Sequence, residues 1–452
     1  MARFKKQQFN IAVLLLLMVV ITPYQSGQAS DIEIYKSAAK AGEVIIVMML
    51  DTSGSMDLNN TVNLGAGIRN RLEPCDLPSS ASWEGMRPQL NKKSDDPQKG
   101  YRVNYCLDEN GVKYLDRISR LKEALYELAT SSAIQPNTKI GIGTFPYAGR
   151  APRTNQMENN RRAYMRIAAD QWGVVGSEQR RKVLHLIRRN DFVGRGSTPT
   201  SAAYAEAAAY MLGTHTGDGP FSGVDIADQS YSANLTVGEW SSRRYQSPLK
   251  QTKDRDSQEN LSETQCDGKG IYFLTDGEPQ SVRTPNENLM ANALKIYEYH
   301  ITDKSGLSGG RYNRSGTYFS YWGEIGLFAR YLNDPDKITA ILGTVSDPKI
   351  RTAVVGFGSS LDVYDEVKQV LSDPKTQRTR TYYNCNAIQT VDARNACNWG
   401  EKSRFADGVT PTIEGVGGYG EGGFYSAKLT VVLISSIVNF IEKSKPNFDP
   451  LI

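Results

Sequence analysis

The sequence predicts an α/β protein built on a doubly wound, mostly parallel sheet with long insertions, and three observations point there. Short continuous apolar runs rich in branched residues recur along the chain, as strands buried on both faces require. Segments with helical spacing lie between them, which is the alternation that covers a parallel sheet on both sides. The first of these strand-like runs stops at an acidic residue followed by Thr, Ser and Gly, and in open α/β sheets ligands gather beyond the carboxyl ends of the strands.

Taken in order, residues 43–50 read Glu-Val-Ile-Ile-Val-Met-Met-Leu and end at Asp51, a buried strand. Residues 115–129 place Leu115, Ile118, Leu121, Leu125 and Leu128 three to four apart, the stripe of an amphipathic helix. Residues 139–145 return to strand character. Downstream, an alanine-rich helix is expected over 201–211, a strand over 270–275, a helix over 321–332, a strand over 352–357 and a helix over 363–371. A short strand over 423–426 and a helix over 429–441 close the series. Four polar stretches, 57–112, 149–176, 214–267 and 373–422, interrupt it and read as insertions, each longer than the loops of compact α/β units.

Composition narrows the function classes. The 452 residues are 39% hydrophobic, enough for a substantial core. A net charge of +4, without a basic block interleaved with aromatics, excludes a nucleic-acid groove. Arg3, Lys5 and Lys6 precede an apolar run from Ile11 to Ile21, and Gly27-Gln28-Ala29 follows, so residues 1–29 read as a signal peptide, 30–445 as the folded domain and 446–452 as a tail. That run is shorter than the roughly 20 apolar residues of a spanning helix, so no membrane span is expected in the mature chain. It is expected to be exported, to the periplasm, outer membrane or cell surface. Outside the cytoplasm disulfides persist. Of the five cysteines, Cys75 with Cys106 and Cys385 with Cys397 are the economical local pairs, each tying down one polar insertion, and Cys266 is left over; spacing alone does not fix connectivity. With three histidines and no CxxC, a Cys/His zinc site is not expected.

The chemistry concentrates at three places. Asp51-Thr52-Ser53-Gly54-Ser55 follows the first strand, Gly196-Ser197-Thr198-Pro199-Thr200 opens the alanine-rich helix with Pro199 expected at its first position, and Asp276-Gly277 ends the strand through Thr275. Hydroxyls two residues apart on a tight loop can face one hard cation while carboxylates supply charge. Each piece alone has an ordinary reading as a cap or turn; the combination points to a metal.

Asp51-x-Ser53-x-Ser55, Thr198-Pro199 and Asp276-Gly277 together resemble the metal-ion-dependent adhesion site of von Willebrand factor A domains. The resemblance implies that Ser53, Ser55 and Thr198 bind the ion directly, that Asp51 and Asp276 act through water, and that the cation is Mg²⁺, with Mn²⁺ or Ca²⁺ as alternatives. It also implies a protein partner that offers an acidic side chain to the metal. The opening Ser30-Asp31-Ile32-Glu33-Ile34-Tyr35, the run from Cys266 through Asp276-Gly277-Glu278-Pro279 and the ending Gly422-Gly423-Phe424-Tyr425 are similar to the N-terminal half of the PilC/PilY1 family of type IV pilus tip adhesins. Members of that family continue into a β-propeller, and this sequence ends at Ile452.

The expected function is therefore metal-dependent adhesion to minor pilins or a host-cell surface, as a pilus tip adhesin or biogenesis factor. The alternatives are a structural or mechanical part of pilus assembly, with the metal only bracing loops, and a metallohydrolase using Asp51 and Asp276. For the hydrolase the sequence supplies neither an activated nucleophile nor paired histidines, so the chain is not expected to be an enzyme.

Overall fold

A computed structural model describes residues 43–57, 75–76, 87–92, 100–108, 110–147, 163–217, 223–227, 231, 235–239, 242–249, 268–277, 279, 286–296, 307, 321–343, 348–358, 361, 368–372, 379–401 and 419–445. The proposed signal peptide, the tail and Cys266 lie outside these residues, which all belong to one compact unit, Glu43–Ile452. In chain order the strands are β1 (Val44–Asp51), β2 (Arg87–Lys92), β3 (Arg102–Leu107), β4 (Lys113–Leu115), β5 (Lys139–Phe145), β6 (Tyr164–Gln171), β7 (Thr236–Val237), β8 (Arg244–Tyr245), β9 (Gly268–Thr275), β10 (Arg351–Gly356), β11 (Lys368–Ser372), β12 (Thr379–Tyr383) and β13 (Glu421–Ser426). The α-helices are α1 (Arg117–Thr130), α2 (Glu178–Arg188), α3 (Thr200–Leu212), α4 (Asn286–Leu294), α5 (Tyr321–Asn333), α6 (Pro335–Leu342), α7 (Val391–Gly400) and α8 (Thr430–Ser444).

The central sheet has six strands in the order β13-β10-β9-β1-β5-β6. All pairings are parallel except that of β5 with the edge strand β6. The period of two along β1 explains why an unbroken apolar run was needed. Ile45, Val47 and Met49 join a core with α3, α4, α5 and α7 on one face. Val44, Ile46, Met48 and Leu50 join a second core with α1, α2 and α8 on the other, since successive side chains of a strand point to opposite faces. Helix α3 is mostly alanine and other apolar residues, and every residue of Thr200–Leu212 is buried, Glu206 included, as in a helix enclosed by protein.

From β1 the chain passes to β5 on one side, and it later reaches β9 on the other. The carboxyl end of β1 is thus the point where strand order reverses, the crevice in which doubly wound sheets bind ligands.

Three expectations need correction. The helix read over 363–371 is not one in its described part: β11 pairs antiparallel with β12, whose Thr-Arg-Thr-Tyr-Tyr sequence favours strand, while 362–367 lie outside the described residues. Helix α3 spans Thr200–Leu212, one residue beyond the expected 201–211 at each end, and Pro199 is its N-cap rather than its first position. The stretches read as polar insertions also contain regular structure: β2, β3 and β4 form an antiparallel sheet, β6 completes the central sheet, and α7 packs beside β10 and β13. Cys75 is bonded to Cys106 and Cys385 to Cys397. Among the described residues, no helix is long and apolar enough to cross a membrane.

Aromatic packing anchors the face bearing α3. Phe273 on β9 has its ring centroid 4.8 Å from Trp399 and 5.1 Å from Phe145, and it is fully buried. Phe273→Ala is expected to destabilise the fold by about 3–5 kcal/mol, read as a lower urea midpoint with an unchanged slope.

Candidate metal centre

Parallel pairing sets the geometry. Leu50 of β1 lies opposite Leu274 of β9, so Asp51 and Asp276 leave adjacent strands at the same end of the sheet. Both are buried, with Ser53 and Thr198. Asp51 Oδ1 accepts the Ser53 amide at 2.7 Å, and its Oδ2 accepts the Thr275 hydroxyl at 3.0 Å and the Asp276 amide at 3.3 Å. Asp276 Oδ1 accepts the Ser55 hydroxyl at 2.8 Å and the Ser53 hydroxyl at 3.4 Å. The two serine oxygens are 3.0 Å apart. Asp51, Ser53, Ser55 and Asp276 are therefore one hydrogen-bonded cluster.

The loop carrying Thr198 is stitched to the same place. Gly54 donates its amide to Gly196 O at 3.0 Å, and Arg195 donates to Thr52 O at 2.8 Å. Asp57 Oδ2 accepts from the Gly194 amide at 3.1 Å. A Cβ on Gly194 would stand 2.7 Å from Ser53 O and 2.4 Å from Asp57 Cβ, so only glycine lets the two loops approach this closely. Thr198 follows two residues after Gly196 and leads into α3 through Pro199.

The electrostatics reflect two carboxylates sharing one buried site. Burial and the neighbouring Asp276 push Asp51 up to about 8, as expected where like charges meet in a low-dielectric pocket. One cation already faces the pair: Arg117, the first residue of α1, donates from Nη1 to Asp276 Oδ2 at 2.9 Å. A second acidic partner, Asp76, accepts from Arg117 Nε at 3.0 Å and also pairs with Arg120. Burial opposes ionisation of Asp76, yet the two guanidinium groups overcome it and hold its carboxyl below the usual range.

Arg117 and Asp76 are absent from the site as the sequence alone defines it. One signal was available, because Arg117 and Arg120 both lie in the first turn of α1, which carries no acidic residue. Cations there oppose the helix dipole and need a partner from elsewhere. Asp57 was likewise missed; its Oδ1 accepts from Asn104 Nδ2 at 3.1 Å, and the same amide reaches Asp116 Oδ2 at 3.1 Å, tying the first loop to β3 and the cap of α1.

The donor set fits a hard divalent cation. Hydroxyl and carboxylate oxygens suit Mg²⁺, Mn²⁺ or Ca²⁺, and the cluster brings both kinds together at one point. Among the described residues no group of three or more His, Cys, Asp or Glu side chains is placed to hold a metal; this cluster contains only two such residues, and its other donors are hydroxyls.

No protein-family profile matches the chain, and no curated protein matches it. Among solved structures, a distant likeness is found to the pilus adhesin SpaC from Lactobacillus rhamnosus GG, with 11% sequence identity and a TM-score of 0.35. The likeness covers 90% of this chain and 31% of that one, so the chain spans under a third of the length of the protein it resembles.

Proposed function

We propose that this chain is an exported, von Willebrand factor A-type binding domain that adheres to a protein partner through a divalent cation, as a type IV pilus tip adhesin or biogenesis factor. The observation that carries the reading is the hydrogen-bonded cluster of buried Asp51, Ser53 and Asp276 with half-buried Ser55 at the strand-order reversal. Ser53, Ser55 and Thr198 supply hydroxyl oxygens, and Asp51 and Asp276 supply charge. When bound, the cation, Mg²⁺ foremost, supplies an electrophilic position that a partner's carboxylate can take. The chain's own part is to preorganise the oxygens on loops held by a rigid sheet, the arrangement that loops on a scaffold serve for binding rather than for packing. Two disulfides support an oxidising compartment, in keeping with export.

Binding of the purified protein to minor pilins or host-cell surfaces is expected to disappear in EDTA and to return with Mg²⁺ or Mn²⁺. Thr198→Ala and Asp51→Asn should each weaken Mg²⁺ binding about tenfold or more, measured by titration calorimetry, because each removes a ligand oxygen or its charge. Adhesion that survives both EDTA and Asp51→Asn places the interface elsewhere.

The raised Asp51 carboxyl gives a pH dependence with a definite sign. Between its ordinary value of 3.8 and about 8, the unfolded chain gives up the proton and the folded chain keeps it. The folded state then binds more protons, and stability falls as pH rises through that window. In EDTA the melting temperature is accordingly expected to carry a downward component from pH 5 to pH 8, and the stabilisation by Mg²⁺ should grow over the same range. Asp51→Asn should flatten both trends in thermal melts.

A further inference from the structure

The buried ion-pair chain beside the metal centre joins it to the first insertion. Asp76 stands next to Cys75, which is bonded to Cys106 on β3, so the disulfide fixes where its carboxylate can sit. Arg117 spans from Asp76 to Asp276, and the side chains of all three are at most 5% exposed. Its guanidinium lies over Gly358, just past β10, where a Cβ would come within 2.8 Å of it; a side chain at that position would displace the arginine. Arg120 closes the arrangement by donating to Asp76 and to the Lys428 carbonyl beyond β13.

Two consequences follow for a cation at Ser53 and Ser55. By holding Asp276 Oδ2, Arg117 leaves Oδ1 to the serine hydroxyls. The same guanidinium brings a positive charge to within hydrogen-bond distance of a carboxylate that is to face a divalent ion, and repulsion at such short range in a buried site is severe. Asp76 offsets it.

We infer that Asp76 and Arg117 are positioning residues of the metal centre, with the disulfide-anchored Asp76 neutralising the guanidinium that orients Asp276, so that the Cys75–Cys106 bond helps set the cation affinity. The inference rests on the metal-binding reading and adds residues to it that never touch the ion. By linkage, a cation at the centre and an anchored Asp76 support each other equally.

The test is a double-mutant cycle on Mg²⁺ affinity, read by titration calorimetry on the full chain, with folding checked by melting in EDTA. Asp76→Asn is expected to weaken Mg²⁺ binding roughly tenfold, an effect within the range of couplings between members of one salt-bridge network. Asp76→Glu, which restores the charge, should return affinity to within about threefold. In an Arg117→Gln background, Asp76→Asn should change Mg²⁺ affinity by less than about twofold, since the charge it offsets is gone. If Asp76→Asn does not fold, the Cys75→Ser/Cys106→Ser variant, which releases Asp76 without altering Arg117, should show the same loss. Equal Mg²⁺ affinity in the parent and Asp76→Asn, or an equal loss with and without Arg117, overturns the inference while the metal site stands. A parent chain that binds neither Mg²⁺ nor Mn²⁺ overturns the metal-binding reading and the inference with it.

Discussion

Two carboxylates leave neighbouring parallel strands at one level and are buried there together, and much of the surrounding structure answers that constraint. Neither Asp51 nor Asp276 can move away, because each is fixed by the strand it terminates. Their mutual repulsion is relieved instead by what converges on them: two backbone amides and a threonine hydroxyl at Asp51, two serine hydroxyls and a guanidinium at Asp276. Hydrogen bonds to charged groups are among the stronger ones, and here they come from loops after β1 and β9 and from the first turn of α1. The order of the sheet therefore dictates which loops meet.

What the sequence revealed follows the range over which each signal acts. The strands β1, β9 and β10 and the helices α1, α5 and α8 are written in local periodicity, because each buries a continuous stripe or both faces of a run. The Asp-x-Ser-x-Ser loop, Thr198 and Asp276 could be picked out because each stands directly after or before such an element. The edge strand β6 was hidden because its alternation includes Arg166, which is buried and paired with Asp191. Helix α2 was hidden because Arg180 replaces an apolar residue in the core and donates to backbone carbonyls at the end of α1 and just beyond it. Both use long cations as packing material, which hydropathy reads as surface.

The contacts around Arg117 were illegible for another reason. Asp76 and Asp276 are 41 and 159 residues away from it, and no spacing rule connects them. The misread segment at 368–371 shows the opposite limit. Its apolar spacing fits a helix, yet the backbone finds an antiparallel partner in β12, and strand pairing of that kind is decided by residues outside any local window.

Helix α3 carries a consequence for how this chain can diversify. Its alanines are enclosed on every side, so the helix acts as a spacer of fixed thickness between the sheet and the outer helices. Thr198 sits at the mouth of that spacer, separated from it only by Pro199. A lineage that enlarged any of these alanines would lift the helix off the sheet and carry the threonine with it, altering the reach of the loop without touching a single polar atom. Variation is thereby steered away from the scaffold beneath the loops and towards the stretches between the elements, where length and sequence can change while the gauge set by alanine stays the same.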